Sequence, residues 1–323
     1  MERSGDTGRA TWISSSLAQG RSGTAGSLVP GGFAAYARIL HPAFGRGGDG
    51  ERPVRWREVA HWSGERLSRR VQFNQIALPR VAKDDPPPWE RGPVHGSLEL
   101  EDCRRLIEIL EVACGPAGRC WFCLWDGYGW EDGGGLATGA VGGLEAVPPE
   151  VRQGAKVTMP GRSYLLYSGG LRDALAFTGA SGQTPNLWWP ADRIWCVASE
   201  IDLTWTYVGG PTKLVQTLLQ DSRLEALPVE VDDSCLFELS PAYHRLVLAA
   251  CAALLDHGAA AIPTPLGDIE ASLTGAGRWA QLQTRWKRRH PQREHAAWSL
   301  VDASHSGSIQ SLLAQAVGAL AAG

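Results

Sequence analysis

The chain has 323 residues, 44% of them hydrophobic and 20% charged, with a formal net charge of −3. That balance excludes a wholly disordered chain and allows one large domain or two ordinary ones. The charge is uneven: residues 1–80 carry +6, residues 81–240 carry −11 and residues 241–323 carry +2. An acidic middle argues against a nucleic-acid groove there, which would need clustered Lys and Arg, and fits a basic protein partner instead. Arg outnumbers Lys 27 to 4 and Asn occurs only twice, a skew expected of a GC-rich bacterial genome. Met1–Gly20 is polar and lacks the apolar core of a secretory signal. The longest near-apolar run, Leu246–Leu255, is too short to span a bilayer, so the expected location is cytoplasmic and no membrane contact is expected. The seven Cys should then be reduced.

In chain order, Arg55–Ser63 reads as a helix with Trp56, Val59 and Ala60 on one face and Gly64 as its stop. Arg80–Gly96, with Pro86-Pro87-Pro88, reads as an extended exposed linker. Leu98–Cys114 is the clearest amphipathic helix. Leu100, Cys103, Ile107, Leu110 and Cys114 fall on one face, with Glu101, Arg104, Glu108 and Glu111 outside. Arg119–Leu124 follows as an apolar strand, and the Gly-rich stretch 133–154 as a second exposed loop. Ser163–Tyr167 reads as a strand, Leu171–Phe177 as a short helix, and Arg193–Val208 as a long strand or strand pair. Pro211–Gln220 is expected to be helical, as is Pro241–His257, which Gly258 should end and which is apolar enough all round to be buried. Gly258–Gly277 reads as a third loop and Ser308–Ala322 as a final helix. Few strands, not alternating regularly with helices, predict an α+β fold. The expectation is a mixed or antiparallel sheet with flanking helices in a body over 1–240 and a helical extension over 241–323.

The candidate chemistry centres on Asn186–Trp205, which holds four of the 14 Trp within 18 residues. Trp188 and Trp189 beside Asp192 and Arg193 suit either a core or an aromatic recognition site. Adjacent residues of a strand point to opposite faces, so at most one of the two Trp can line a given pocket. If 193–208 is one strand, Glu200 and Asp202 share a face about 7 Å apart, a spacing suited to acid/base work or to a shared cation. A solvated polar face opposite a core predicts the same alternation. Cys120 and Cys123 form the chain's CxxC, but in a strand they face opposite sides, and no second ligand pair follows at zinc-binding spacing, so no metal site is expected. Asp126 and Tyr128, in the turn after that strand, could reach a neighbouring pocket. Gly209-Gly210-Pro211-Thr212 could hold an anion at a helix start or be a plain loop. The basic run 285–290 could touch nucleic acid or an acidic surface, or be a solvated helix end. There is no GxSxG, GxGxxG or HExxH, and no cofactor is expected.

The strings CWFCLWDGYGW (120–130) and NLWWPADRIWCVASEID (186–202) resemble an uncharacterised family of cytoplasmic proteins from GC-rich bacteria, over about residues 12–230. That resemblance implies no activity and no catalytic residue. In composition the chain is also loosely similar to bacterial immunity proteins of the Smi1/Knr4 type. The leading expectation is a binding protein that recognises a macromolecular partner, a protein, through an aromatic and acidic surface including Trp188, Trp189, Asp192, Arg193, Glu200 and Asp202. The alternative is an enzyme or small-ligand binder with a pocket around Glu200, Asp202, Asp126 and Tyr128.

Overall fold

The computed structural model describes residues 1–48, 50–79, 85–115, 118–127, 154–177, 183–275, 279–289 and 293–322. The chain forms two compact units and passes between them three times: Met1–His41 with Val94–Leu236, and Pro42–Pro93 with Phe237–Gly323. It starts in the first unit with β1 (Glu2–Arg3), α1 (Thr11–Gln19) and β2 (Ala35–Leu40). The second unit then takes β3 (Ala43–Gly47), β4 (Gly50–Val54), α2 (Trp56–Ser63) and α3 (Phe73–Ala77). Back in the first unit come α4 (Leu100–Cys114), β5 (Cys120–Trp125), β6 (Val157–Met159), β7 (Arg162–Gly169), β8 (Leu187–Pro190), β9 (Cys196–Ser199), β10 (Trp205–Gly210), α5 (Thr212–Gln220) and β11 (Ala226–Pro228). The second unit closes with α6 (Pro241–His257), β12 (Ala259–Thr264), β13 (Gly267–Thr274), β14 (Trp279–Arg288), β15 (Arg293–Asp302) and α7 (Ser306–Ala322). The class is α+β with antiparallel sheets and flanking helices, as the sequence predicts.

The first unit is built on a sheet ordered β1-β7-β5-β8-β9-β10-β2-β11, with β6 paired to β7. Its register fixes two faces. Phe122 lies opposite Trp188, which lies opposite Val197, which lies opposite Val208. On this face α4 adds Cys103, Leu106, Ile107 and Leu110, and α5 adds Leu214 and Leu218, to make one apolar core. Glu99 caps α4 by accepting from the backbone N–H groups of Glu101 and Asp102. On the other face Trp121 lies opposite Trp189, which packs edge-on against Trp12 of α1. Because both faces are covered, strands such as Cys120–Trp125 and Leu187–Pro190 are apolar at almost every position instead of alternating.

The second unit contains the four-stranded antiparallel sheet β12-β13-β14-β15 and the hairpin β3-β4. Helices α6 and α7 pack on one face of the four-stranded sheet. The segment expected to be purely helical, 241–323, therefore begins and ends in helix but folds as four strands in between. Where it is described, the stretch expected to be a loop over Gly258–Gly277 forms β12 and β13, and Arg285–Arg288 belongs to β14 rather than to a helix end. Alternation explains the basic run: Arg285 and Lys287 are exposed, while Trp286 and Arg288 are buried on the helix-covered face. Nor is this segment a unit by itself. Trp89 is fully buried and donates from Nε1 to the Ala321 carbonyl at 3.1 Å. Tyr243 Oη donates to the Pro79 carbonyl, and Asn74 Nδ2 to that of Glu238. Residues 42–93 and 237–323 thus share a core, so the single body expected over 1–240 is divided. The stretch expected to be an exposed linker over 80–96 is instead tied down where it is described: Trp89 is core and Arg91 bridges to Phe44. Helix α6 buries only Tyr243, Val247, Ala250, Cys251 and Leu254, and leaves Leu246, Leu248 and Leu255 exposed on its outer side. It is amphipathic by position although its composition is apolar all round. The Gly-rich stretch 133–153 lies outside the described residues.

Candidate functional site

The stretch Asn186–Trp205 is two hairpins, not one strand. Pro190–Arg193 turns β8 into β9, and Glu200–Asp202 turns β9 into β10. Arg193 is the one non-glycine described residue with positive φ, at 60°. Its N–H closes the turn on the Pro190 carbonyl, and its guanidinium lies 5.4 Å over the Trp12 ring. The candidate residues are consequently parted. Asp192 and Arg193 sit at one end of β9. Glu200 and Asp202 sit at the other, beside Asp126 at the end of β5. Trp188 and Trp189 lie between, each 1% exposed. They point to opposite faces, and both faces are core, so neither belongs to a recognition surface. Tyr128 lies outside the described residues.

Glu200 and Asp202 do not stand on one face of a strand; they stand in a turn, joined by a cation. Arg162, just after the Pro160-Gly161 turn, donates to Glu200 Oε1 at 2.9 Å and to Asp202 Oδ2 at 2.8 Å. Burial opposes the Arg162 charge, but the two carboxylates outweigh it and its pKa is raised. Asp126 is paired in turn with Lys156 at 2.5 Å. A cleft of about 30 Å³ lies here, lined in part by Met159, Arg162, Tyr164, Ser199 and Glu200. That is room for one or two waters, far below a metabolite site. The acids of this corner are neutralised by their neighbours, which is the arrangement of a structural ion-pair cluster. Among the described residues, no group of three His, Cys, Asp or Glu is placed to hold a metal ion.

Behind that corner runs a buried polar row that sequence reading missed. Asn186, Ser199, Thr206 and His41 occupy the same face of adjacent strands. The segment 94–98 is bonded to them through the Val94 and Gly96 carbonyls. His41 Nδ1 donates to the Val94 carbonyl at 2.7 Å, so Nε2 is the acceptor and takes the Thr206 hydroxyl at 2.8 Å. Ser199 Oγ then donates to Thr206 Oγ1 at 2.7 Å. Burial lowers the His41 pKa to about 4, which keeps the ring neutral. Asn186 accepts from Trp125 N–H and donates to the Ser199 carbonyl. Gly96 lies close against the turn between β9 and β10: its φ is +70°, and a Cβ would come within 2.7 Å of Ile201 Cα. A Ser-Thr-His chain resembles a proton relay, but Ser199 is 3% exposed and its chain ends on a backbone carbonyl, so it serves to pin 94–98 to the sheet.

Two other motifs resolve as structure. Cys120 and Cys123 face opposite sides of β5, as the strand reading predicts; burial pushes the Cys120 thiol up to about 12 and raises that of Cys123. Gly209 and Gly210 end β10 rather than forming an anion loop. A Cβ on Gly209 would meet the Phe33 ring at 2.5 Å.

Exposed aromatics occur elsewhere. In the second unit, the face of β12–β15 away from α6 and α7 carries Trp279, Trp298 and Leu300 at 57%, 58% and 73% exposure. The register places Trp298 opposite Gln283 and Leu300 opposite Gln281, with Trp279 at the end of the same row. Around them stand Glu270 opposite Arg285 and the Lys287–Glu294 ion pair at 2.9 Å. Strand alternation is legible in the sequence over 279–288, but in 293–302 the apolar Trp298 and Leu300 lie on the exposed side, so alternation alone does not tell which face stays open. Among the described residues no helix is long and apolar enough to cross a membrane. No protein-family model, curated protein or solved structure matches the chain.

Proposed function

We propose that this protein acts by binding another protein, through the open face of the sheet β12–β15. The observation that carries this reading is the cluster of Trp279, Trp298 and Leu300, all more than half exposed on one sheet face, while five other Trp are fully buried. Exposed Trp and Leu ringed by mixed charges reproduce the anatomy of a protein interface, an apolar centre within a polar rim. Charges of both signs alternate on this face, which suits a protein better than the phosphate backbone of a nucleic acid. The aromatic and acidic surface expected around Trp188 and Glu200 moves, on this reading, to the second unit.

The test is photo-crosslinking in the native cell, with benzoylphenylalanine replacing Leu300 and, as a control, replacing Val112, which is 77% exposed on α4 in the first unit. A discrete protein adduct from position 300 and none from 112 is expected. Absence of an adduct at 300 would remove the reading.

A further inference from the structure

The edge strand β15 suggests which protein. It pairs with β14 over ten consecutive residues without a bulge, and among the described residues nothing pairs with its outer edge. Native sheets blunt such edges with Pro, bulges, Lys or short length, because a free row of N–H and C=O groups recruits another strand. The opposite edge, β12, is blunted in this way: it has six residues and includes Pro263. β15 has none of these devices. Its span His295–Val301 contains no Pro, Gly, Lys or carboxylate.

Resting on the protein-binding reading, we propose that the partner is a second copy of this chain, joined by antiparallel pairing of β15 with β15 and Ser299 on the two-fold axis. The register follows from charge and size. Antiparallel partners share a face, so a two-fold pairing sets residues of the same parity opposite one another. Centring on Trp298 would set Glu294 against Asp302, two like charges. Centring on Ala297 would set Leu300 against Glu294. Centring on Ser299 sets Trp298 of each copy against Leu300 of the other, Ala297 against Val301, and Ala296 against Asp302, with no like charges opposed. Aromatic–aliphatic cross-strand pairs are favourable contacts, and this register makes two of them on the open face. It continues the four-stranded sheet into an eight-stranded one, an isologous contact of the kind that closes dimers.

The experiment uses the full chain in sedimentation velocity across a concentration series, with site-specific oxidation beside it. A concentration-dependent dimer is expected, weakened about tenfold or more by Leu300→Glu, which sets a carboxylate against the other copy's Trp298. Circular dichroism of L300E should match the parent, since the side chain is exposed. In the same preparations S299C should form a covalent dimer on oxidation, because the axis brings that position against itself within disulfide reach. A297C, four residues out of register with its own copy, should not. A chain that stays monomeric at every concentration overturns the proposal, as does a dimer indifferent to L300E and not trapped by S299C. If position 300 crosslinks a different protein while the chain is monomeric, the self-pairing fails and the protein-binding reading stands; if position 300 crosslinks nothing, both fail.

Discussion

The two main sheets of this protein are both antiparallel, yet they use their tryptophans in opposite ways. In the first unit the sheet is covered on both faces, and Trp188 and Trp189, neighbours in sequence, are each buried on a different side. In the second unit the sheet is covered on one face only. There Trp286 is buried among the helices, while Trp279 and Trp298, at odd and even positions of paired strands, share the open face. The lesson is that an excess of tryptophan locates nothing by itself. What separates an anchor of the core from an anchor for a partner is the number of layers on the sheet, and layers belong to the tertiary structure.

The contrast is tested most severely by truncating one tryptophan from each sheet. Trp188→Ala should destabilise the first unit by about 3–5 kcal/mol in urea unfolding, since it empties a closed core, whereas Trp298→Ala should leave monomer stability within about 0.5 kcal/mol. Equal effects would mean that the second sheet is covered after all.

The buried polar row gives the next largest effect. His41 has a folded pKa near 4, below the 6.5 of an unfolded chain, so the unfolded state takes up the extra proton as pH falls. Its contribution is complete above pH 6.5 and is lost on descending toward 4, with a slope approaching about 1.4 kcal/mol per pH unit. Unfolding free energies measured across that window should show the slope, and His41→Gln should flatten it.

A smaller effect is expected at the ion-pair corner. Arg162→Leu leaves Glu200, whose side chain is 14% exposed, without its cation, and should cost about 1–3 kcal/mol. Asp202→Ala removes a partner that is 73% exposed and should change stability by less than about 0.5 kcal/mol. Both can be read from urea midpoints. A large cost at Asp202 would show that the turn is held more tightly than its exposure implies.

Much of the local structure was legible in the chain. Helix α4 follows from the spacing of Cys103, Ile107 and Leu110, α6 ends where Gly258 takes φ = 72°, and Cys120 and Cys123 diverge because they lie in a strand. The candidate site was legible only as residue types. Trp188, Glu200 and Asp202 attract attention by chemistry, but Arg162, which neutralises both acids, lies 38 and 40 residues away, and no local pattern announces such a partner. His41 and Thr206 meet across 165 residues for the same reason. Strands β12 and β13 escaped notice because Gly and Pro punctuate them, and the sequence does not distinguish a glycine that breaks a strand from one that turns a hairpin.

What the sequence determined by itself was periodicity, capping and composition, hence the α+β class and most helices, because those depend on neighbours within a turn or two of the chain. What only the tertiary structure decided was which faces are covered. The interleaving of 42–93 with 237–323, the double cover over Trp188 and Trp189, and the open face that exposes Trp298 and Leu300 all arise from contacts between segments far apart in sequence. Burial is a property of those contacts, and burial is what turns the same side chain into core or into surface.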